Sequence, residues 1–216
     1  MITELQFNAI KEKYGKCSSC AIWEEDRYDM NGHGYYLNTA VKTLNKDLSS
    51  KDIESLGLHQ DAILIALNFG MRDETKESAF NDIKLHLNDL AFASFHEELD
   101  IFKFSGDRRQ KLAYKGTKLW GAYMTDLIKY NRNGEIEAFE ESNSDADELN
   151  ALIADESYMD IQISGLIEEL KILEVHNPEL YAIGSKAYKE LKNYDKVLKE
   201  ALGVETKIVQ LPHYSR

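Results

Sequence analysis

Three polar side chains in this sequence stand at the ends of short apolar runs, where a folded chain can present chemistry to solvent: Asn68, Asp126 and His213. An amide such as Asn68 can orient a water molecule but is no strong general base. A neutral imidazole such as His213 donates a hydrogen bond through one ring nitrogen once its tautomer is fixed. An ionised carboxylate such as Asp126 only accepts, so it repels carbonyl oxygens and attracts N–H and amino groups. Each also has a plain structural use. Asn68 can cap its loop or the next helix, Asp126 can cap a turn, and His213 can simply be exposed near a chain end.

Four apolar runs must position these residues: 62–68, 122–130, 179–185 and 206–215. Such short continuous runs are the mark of parallel strands buried on both faces. Helical patterns lie between them. Residues 75–95 place Phe80, Ile83, Leu87, Leu90 and Ala91 at three- and four-residue spacing. Residues 149–175 repeat that spacing up to Asn177-Pro178, which should stop a helix. Ser185 suits the N-cap of a helix over 186–202, with Gly203 just beyond. Leu5, Ala9 and Ile10 suggest a short N-terminal helix. Alternating strands and helices predict a parallel sheet between helical layers. Ligands of open α/β sheets bind beyond the carboxyl ends of the strands. That rule selects Asn68-Phe69-Gly70, Thr125-Asp126, Gly184-Ser185 and His213-Tyr214-Ser215.

With 216 residues, 43% hydrophobic and 30% charged, the chain reads as one globular domain. Its expected parts are an N-terminal helical region over 1–60 and an α/β core over 61–216. No apolar run follows a basic stretch at the start, and no window suits a membrane helix. With two cysteines, a reducing, cytoplasmic setting is expected. The net charge of −12 argues against a polyanion partner. Residues 133–170, however, contain no Lys or Arg and carry the whole acidic surplus. Residues 134–147 read as a solvated loop. In contrast, 101–118 holds Lys103, Arg108, Arg109, Lys111, Lys115 and Lys118 against Asp107 alone, with Phe102, Phe104 and Tyr114 interleaved. That stretch is either a solvated connection or the patch that meets phosphates and single strands.

The four strand ends together resemble the uracil-DNA glycosylase superfamily, over residue 60 to the C-terminus. The mismatch-specific and single-strand-selective branches carry Gly-Ile/Met-Asn-Pro-Gly after their first strand. Here the run is Ala66-Leu67-Asn68-Phe69-Gly70, with Ala for Gly and Phe for Pro. The family's closing His-Pro-Ser is matched by Leu211-Pro212-His213-Tyr214-Ser215. Tyr123 to Lys129 resembles the strand that ends in Thr-Asn, and Gly184-Ser185-Lys186-Ala187 resembles the Gly-x-x-Ala turn into a helix.

The resemblance implies a three-layer α/β/α sandwich around a four-stranded parallel sheet. It implies an N-glycosidic hydrolase that excises a modified or deaminated base from DNA, with no cofactor. Asn68 falls where the family positions the attacking water, and His213 where a histidine donates to the developing oxyanion of the base. Asp126 falls near the base-reading Asn, and the change to a carboxylate points away from uracil, toward hypoxanthine or another modified base. Phe69 and Phe80 are candidates to stack on a flipped base, though Phe80 also suits core packing. Gly70, Ser185 and Ser215 complete the expected substrate-binding set. Family members continue past the histidine motif with a wedge loop and a helix. The sequence ends at Arg216, so single-stranded or open DNA is the expected partner. The alternative is an inactive protein of the same fold that binds a nucleotide, nucleic acid or protein. A small-molecule nucleoside or nucleotide hydrolase is a third option. Cys17-x-x-Cys20 resembles the iron–sulfur branch, but that cluster needs four thiolates. With His33 or His59 a zinc site also lacks its second ligand pair. No metal is expected.

Overall fold

The apolar run at 62–68 becomes the middle of a sheet. A computed structural model describes residues 1–15, 17–22, 27–28, 34–35, 47–68, 106–137 and 146–213. Its strands are β1 (Ser18–Cys20), β2 (Arg27–Tyr28), β3 (Gly34–Tyr35), β4 (His59–Asn68), β5 (Ala122–Ile128), β6 (Glu179–Ile183) and β7 (Lys207–Leu211). The helices are α1 (Glu4–Tyr14), α2 (Ser50–Leu56), α3 (Gly106–Tyr114), α4 (Ala146–Ile153), α5 (Glu156–Ile172), α6 (Ser185–Asn193) and α7 (Asp195–Leu202). The main sheet has the order β1-β5-β4-β6-β7, and β2 and β3 form a separate antiparallel pair.

The fold is α/β with a five-stranded, mostly parallel sheet. The expectation of four strands is corrected by β1, which runs antiparallel along the outer side of β5. Ser18–Cys20 is three residues long and has no run of its own to announce it. β4 to β7 pair in parallel, as the four apolar runs predict. All seven residues of β5 are buried, which explains why its sequence does not alternate.

Alternate residues of the strands feed two apolar clusters. Ile63, Ile65, Tyr123, Leu127, Leu180 and Ala182 join α1, α5, α6 and α7 in the larger one. Ala62, Leu64, Ala122, Met124, Tyr181 and Ile183 join Tyr114 of α3 and Leu119 in the smaller one. Helices therefore lie on both faces. The stretch 101–118 is not simply a solvated connection: from residue 106 it forms α3, whose Gln110, Lys111 and Tyr114 are buried.

Local chemistry sets the helix ends. Thr3 and Gln6 form a capping box on α1, and Ser49 and Asp52 form one on α2. The single helix expected over 149–175 is two, because Asp155 caps α5 by accepting from the Tyr158 N–H at 3.2 Å. α5 then stops at Ile172, short of Asn177-Pro178. The helix expected over 186–202 also divides, at Tyr194. The helix expected over 75–95, and residues 138–145 of the expected acidic loop, lie outside the described residues.

Candidate functional site

The parallel strands share a carboxyl edge. β4 and β5 end in register at Asn68 and Ile128, and β6 and β7 end in register at Ile183 and Leu211. α5 clamps the end of β5 to this edge. The Gln162 side chain accepts from the backbone N–H groups of Lys129 (2.9 Å) and Tyr130 (3.0 Å) and donates to the Tyr130 carbonyl (2.7 Å). The approach depends on Gly165, where a Cβ would lie 2.1 Å from the Tyr130 ring.

Asn68 is the last residue of β4 and is half-buried. Asp126 lies one strand away, opposite Ala66. Strand alternation places both on the face of the smaller cluster, with Leu64 and Met124. Asp126 is 1% exposed. Neither of its carboxyl oxygens has a hydrogen-bond partner among the described residues. Its place inside β5 excludes the turn-capping use. Burial drives its pKa up to about 8; Lys129 pulls it down and Glu169 pushes it further up. The ionised, accept-only carboxylate read from the sequence is therefore corrected. Burial strips water from the group and no described residue hydrogen-bonds to it, which favours the neutral acid near neutral pH.

At the other half of the edge, Gly184 is the N-cap of α6, and Ser185 is the first helical residue rather than the cap. Gly184 has φ +92, a backbone conformation an L side chain adopts only with strain. Its N–H donates to the Leu211 carbonyl at 2.9 Å, tying β6 to β7. Among the described residues no side chain caps α6, and the exposed Ser185 opens the helix at the positive end of its dipole. His213 sits two residues past β7 and packs on Gly184: a Cβ there would lie 3.2 Å from His213 Cδ2. The structure thus brings His213 to the start of α6 and sets Asp126 and Asn68 on adjoining strands of the same edge. Phe69, Gly70, Phe80 and Ser215 lie outside the described residues.

Sequence reasoning missed a buried ionic network on the opposite face. Lys129 and Glu169 form an ion pair with both side chains fully buried. The Lys129 ammonium also donates to the Thr125 hydroxyl. The Tyr123 hydroxyl donates to Glu169, and burial beside that acid raises the Tyr123 pKa well above the usual range. The Lys129 ammonium also lies 5.6 Å from the centre of the Tyr14 ring. A signal was there to read: Gln162 and Glu169 are seven apart on the apolar stripe of α5, a spacing that buries both.

A separate open groove of ≈ 790 Å³ lies between α4, α5 and α6, with Asn150, Met159, Lys186 and Tyr194 among its walls. None of the residues selected from the sequence lines it. Cys17 and Cys20 are free and buried, with thiols pushed up to about 12 by burial. Among the described residues no group of three His, Cys, Asp or Glu side chains could hold a metal ion, and no helix is long and apolar enough to cross a membrane.

No protein-family model, curated protein or solved structure matches the chain.

Proposed function

We propose that this protein is an N-glycosidic hydrolase that releases a modified or deaminated base from DNA, as its resemblance to the uracil-DNA glycosylases implies. The observation that carries the reading is the common edge. Asn68, Asp126, Ser185 and His213 come from four separate segments and stand at or just inside the carboxyl ends of four parallel strands. In open α/β sheets that is where ligands bind.

Breaking a base–sugar bond builds positive charge on the sugar and negative charge on the departing base. Asn68, at the end of β4, orients the attacking water. His213, held against the start of α6, donates to the oxyanion of the base, and the positive end of α6 adds to its stabilisation. Asp126 reads the edge of the extruded base. The uncompensated acids sit in 133–170, so DNA meets the protein elsewhere, through binding that weakens with salt.

The test is direct. Oligonucleotides carrying uracil, hypoxanthine or xanthine, single- and double-stranded, are incubated with the full chain and treated with alkali to cleave abasic sites. Cleavage that disappears in Asn68→Ala and His213→Ala supports the reading. Intact oligonucleotides in every case overturn it.

A further inference from the structure

We infer that the groove between α4, α5 and α6 binds a small amphoteric molecule: a cationic end, an anionic end and a short apolar chain between them, as the basic and ω-amino acids have. The site is separate from the strand edge and does not depend on the glycosidic reading.

Helical spacing sets the walls. Lys186, Lys189, Glu190 and Asn193 fall at i, i+3, i+4 and i+7 on α6, so one face of that helix forms one wall. Glu156, Met159 and Asp160 repeat the spacing at the start of α5 and form the other. Met159 is buried and Ile153, at the end of α4, is half-buried, so the lining also offers apolar surface. The volume of ≈ 790 Å³ lies within the range of clefts that hold small ligands.

The charges in the groove do not cancel. Glu156 and Asp160 line it from α5, and Lys186 and Lys189 line it from α6, yet among the described residues no ion pair joins the two sides. Lys186 donates instead to Asn150 of α4 at 2.9 Å, and Asp160 accepts from the Tyr194 hydroxyl at 3.1 Å. Opposite charges held in one groove without meeting are what a ligand of both signs completes.

Glu190 points to the same ligand independently. It lines the groove and is only 6% exposed. Among the described residues its carboxylate accepts one hydrogen bond, from the Asn193 side chain at 2.9 Å, and meets no cation. The lysine four residues earlier is spaced to pair with it, but that is Lys186, which is turned to Asn150. Lys192 is paired with Asp195. Glu190 also lies near the carboxyl end of α6, where the helix dipole opposes negative charge. A buried acid so placed lacks compensation within the chain. The cationic end of a ligand supplies it, and the anionic end meets Lys186 and Lys189.

The test is to titrate the full chain with ε-aminocaproate, which carries the two ends alone, using calorimetry and amide NMR. Caproate and hexylamine each carry one end. The amphoteric probe should bind at least about tenfold more tightly than either, the worth of one charged hydrogen bond, with shifts centred on Met159 and Tyr194. Glu190→Gln keeps the shape of the side chain and should weaken binding about tenfold or more. Lys189→Glu, at an exposed position, should reverse the preference toward the diamine cadaverine. L-lysine and a short peptide ending in lysine present the same ends on a free amino acid and on a chain terminus, and the tighter of the two gives the source. Caproate or hexylamine binding as tightly as ε-aminocaproate overturns the inference. So does affinity unchanged in both variants, or binding of none of the probes. If the amide spectrum shows Glu190→Gln unfolded, the reversal in Lys189→Glu decides alone.

Discussion

Replacing Asp126 by Asn removes one titration from the centre of the sheet and nothing else of comparable size. In the unfolded chain the carboxyl ionises at its ordinary pKa of 3.8, whereas in the fold it holds its proton up to about pH 8. Between those values the folded state binds more protons than the unfolded state, so its stability declines as pH rises. The slope is about 1.4 kcal/mol per pH unit, and the window is about four units wide. The accumulated loss is therefore on the order of 5 kcal/mol by pH 8 to 9, after which it levels off. That is comparable with the whole stability of many domains. Asn has the same shape and does not titrate. Urea unfolding of wild type and Asp126→Asn at pH 5, 6, 7, 8 and 9 measures the effect directly. Every other ionisable group is shared, so the difference between the two curves isolates residue 126. The variant should gain on wild type with each unit of pH, by several kcal/mol in total. Parallel curves would show that Asp126 ionises normally and would refute the reasoning from burial.

Two further perturbations probe the elements that hold the edge in place. Lys129→Met strands the Glu169 carboxylate in the core, and should cost about 3–5 kcal/mol in urea unfolding; adding Glu169→Leu should recover much of it, because the uncompensated charge is then gone. Gly184→Ala forces φ +92 on an L residue and pushes a methyl to 3.2 Å from His213 Cδ2. It should cost about 1–3 kcal/mol of stability, move the His213 imidazole resonances in NMR, and slow any base release.

Strands β4, β5 and β6 were legible because burial on both faces leaves one mark, an uninterrupted apolar run, and the sheet pairs them accordingly. β1 was not, since Ser18–Cys20 owes its place to β5, more than a hundred residues away. The divided helices carried a local sign in Asp155, whose side chain competes for backbone N–H groups, but an apolar stripe that continues across the break conceals it. Ser185 shows the same limit on a smaller scale. Serine is a good cap in general, yet Gly184 takes the position with φ +92, a backbone conformation an L side chain adopts only with strain. Residue types therefore located the candidate edge, while the state of the groups on it came from tertiary structure. Lys129 and Glu169 neutralise each other across 40 residues of sequence, and that pairing leaves Asp126 without a counter-ion. No local pattern around Asp126 encodes this. A carboxylate read from its neighbours accepts hydrogen bonds only; the same carboxyl, desolvated beside a cation already spoken for, both donates and accepts.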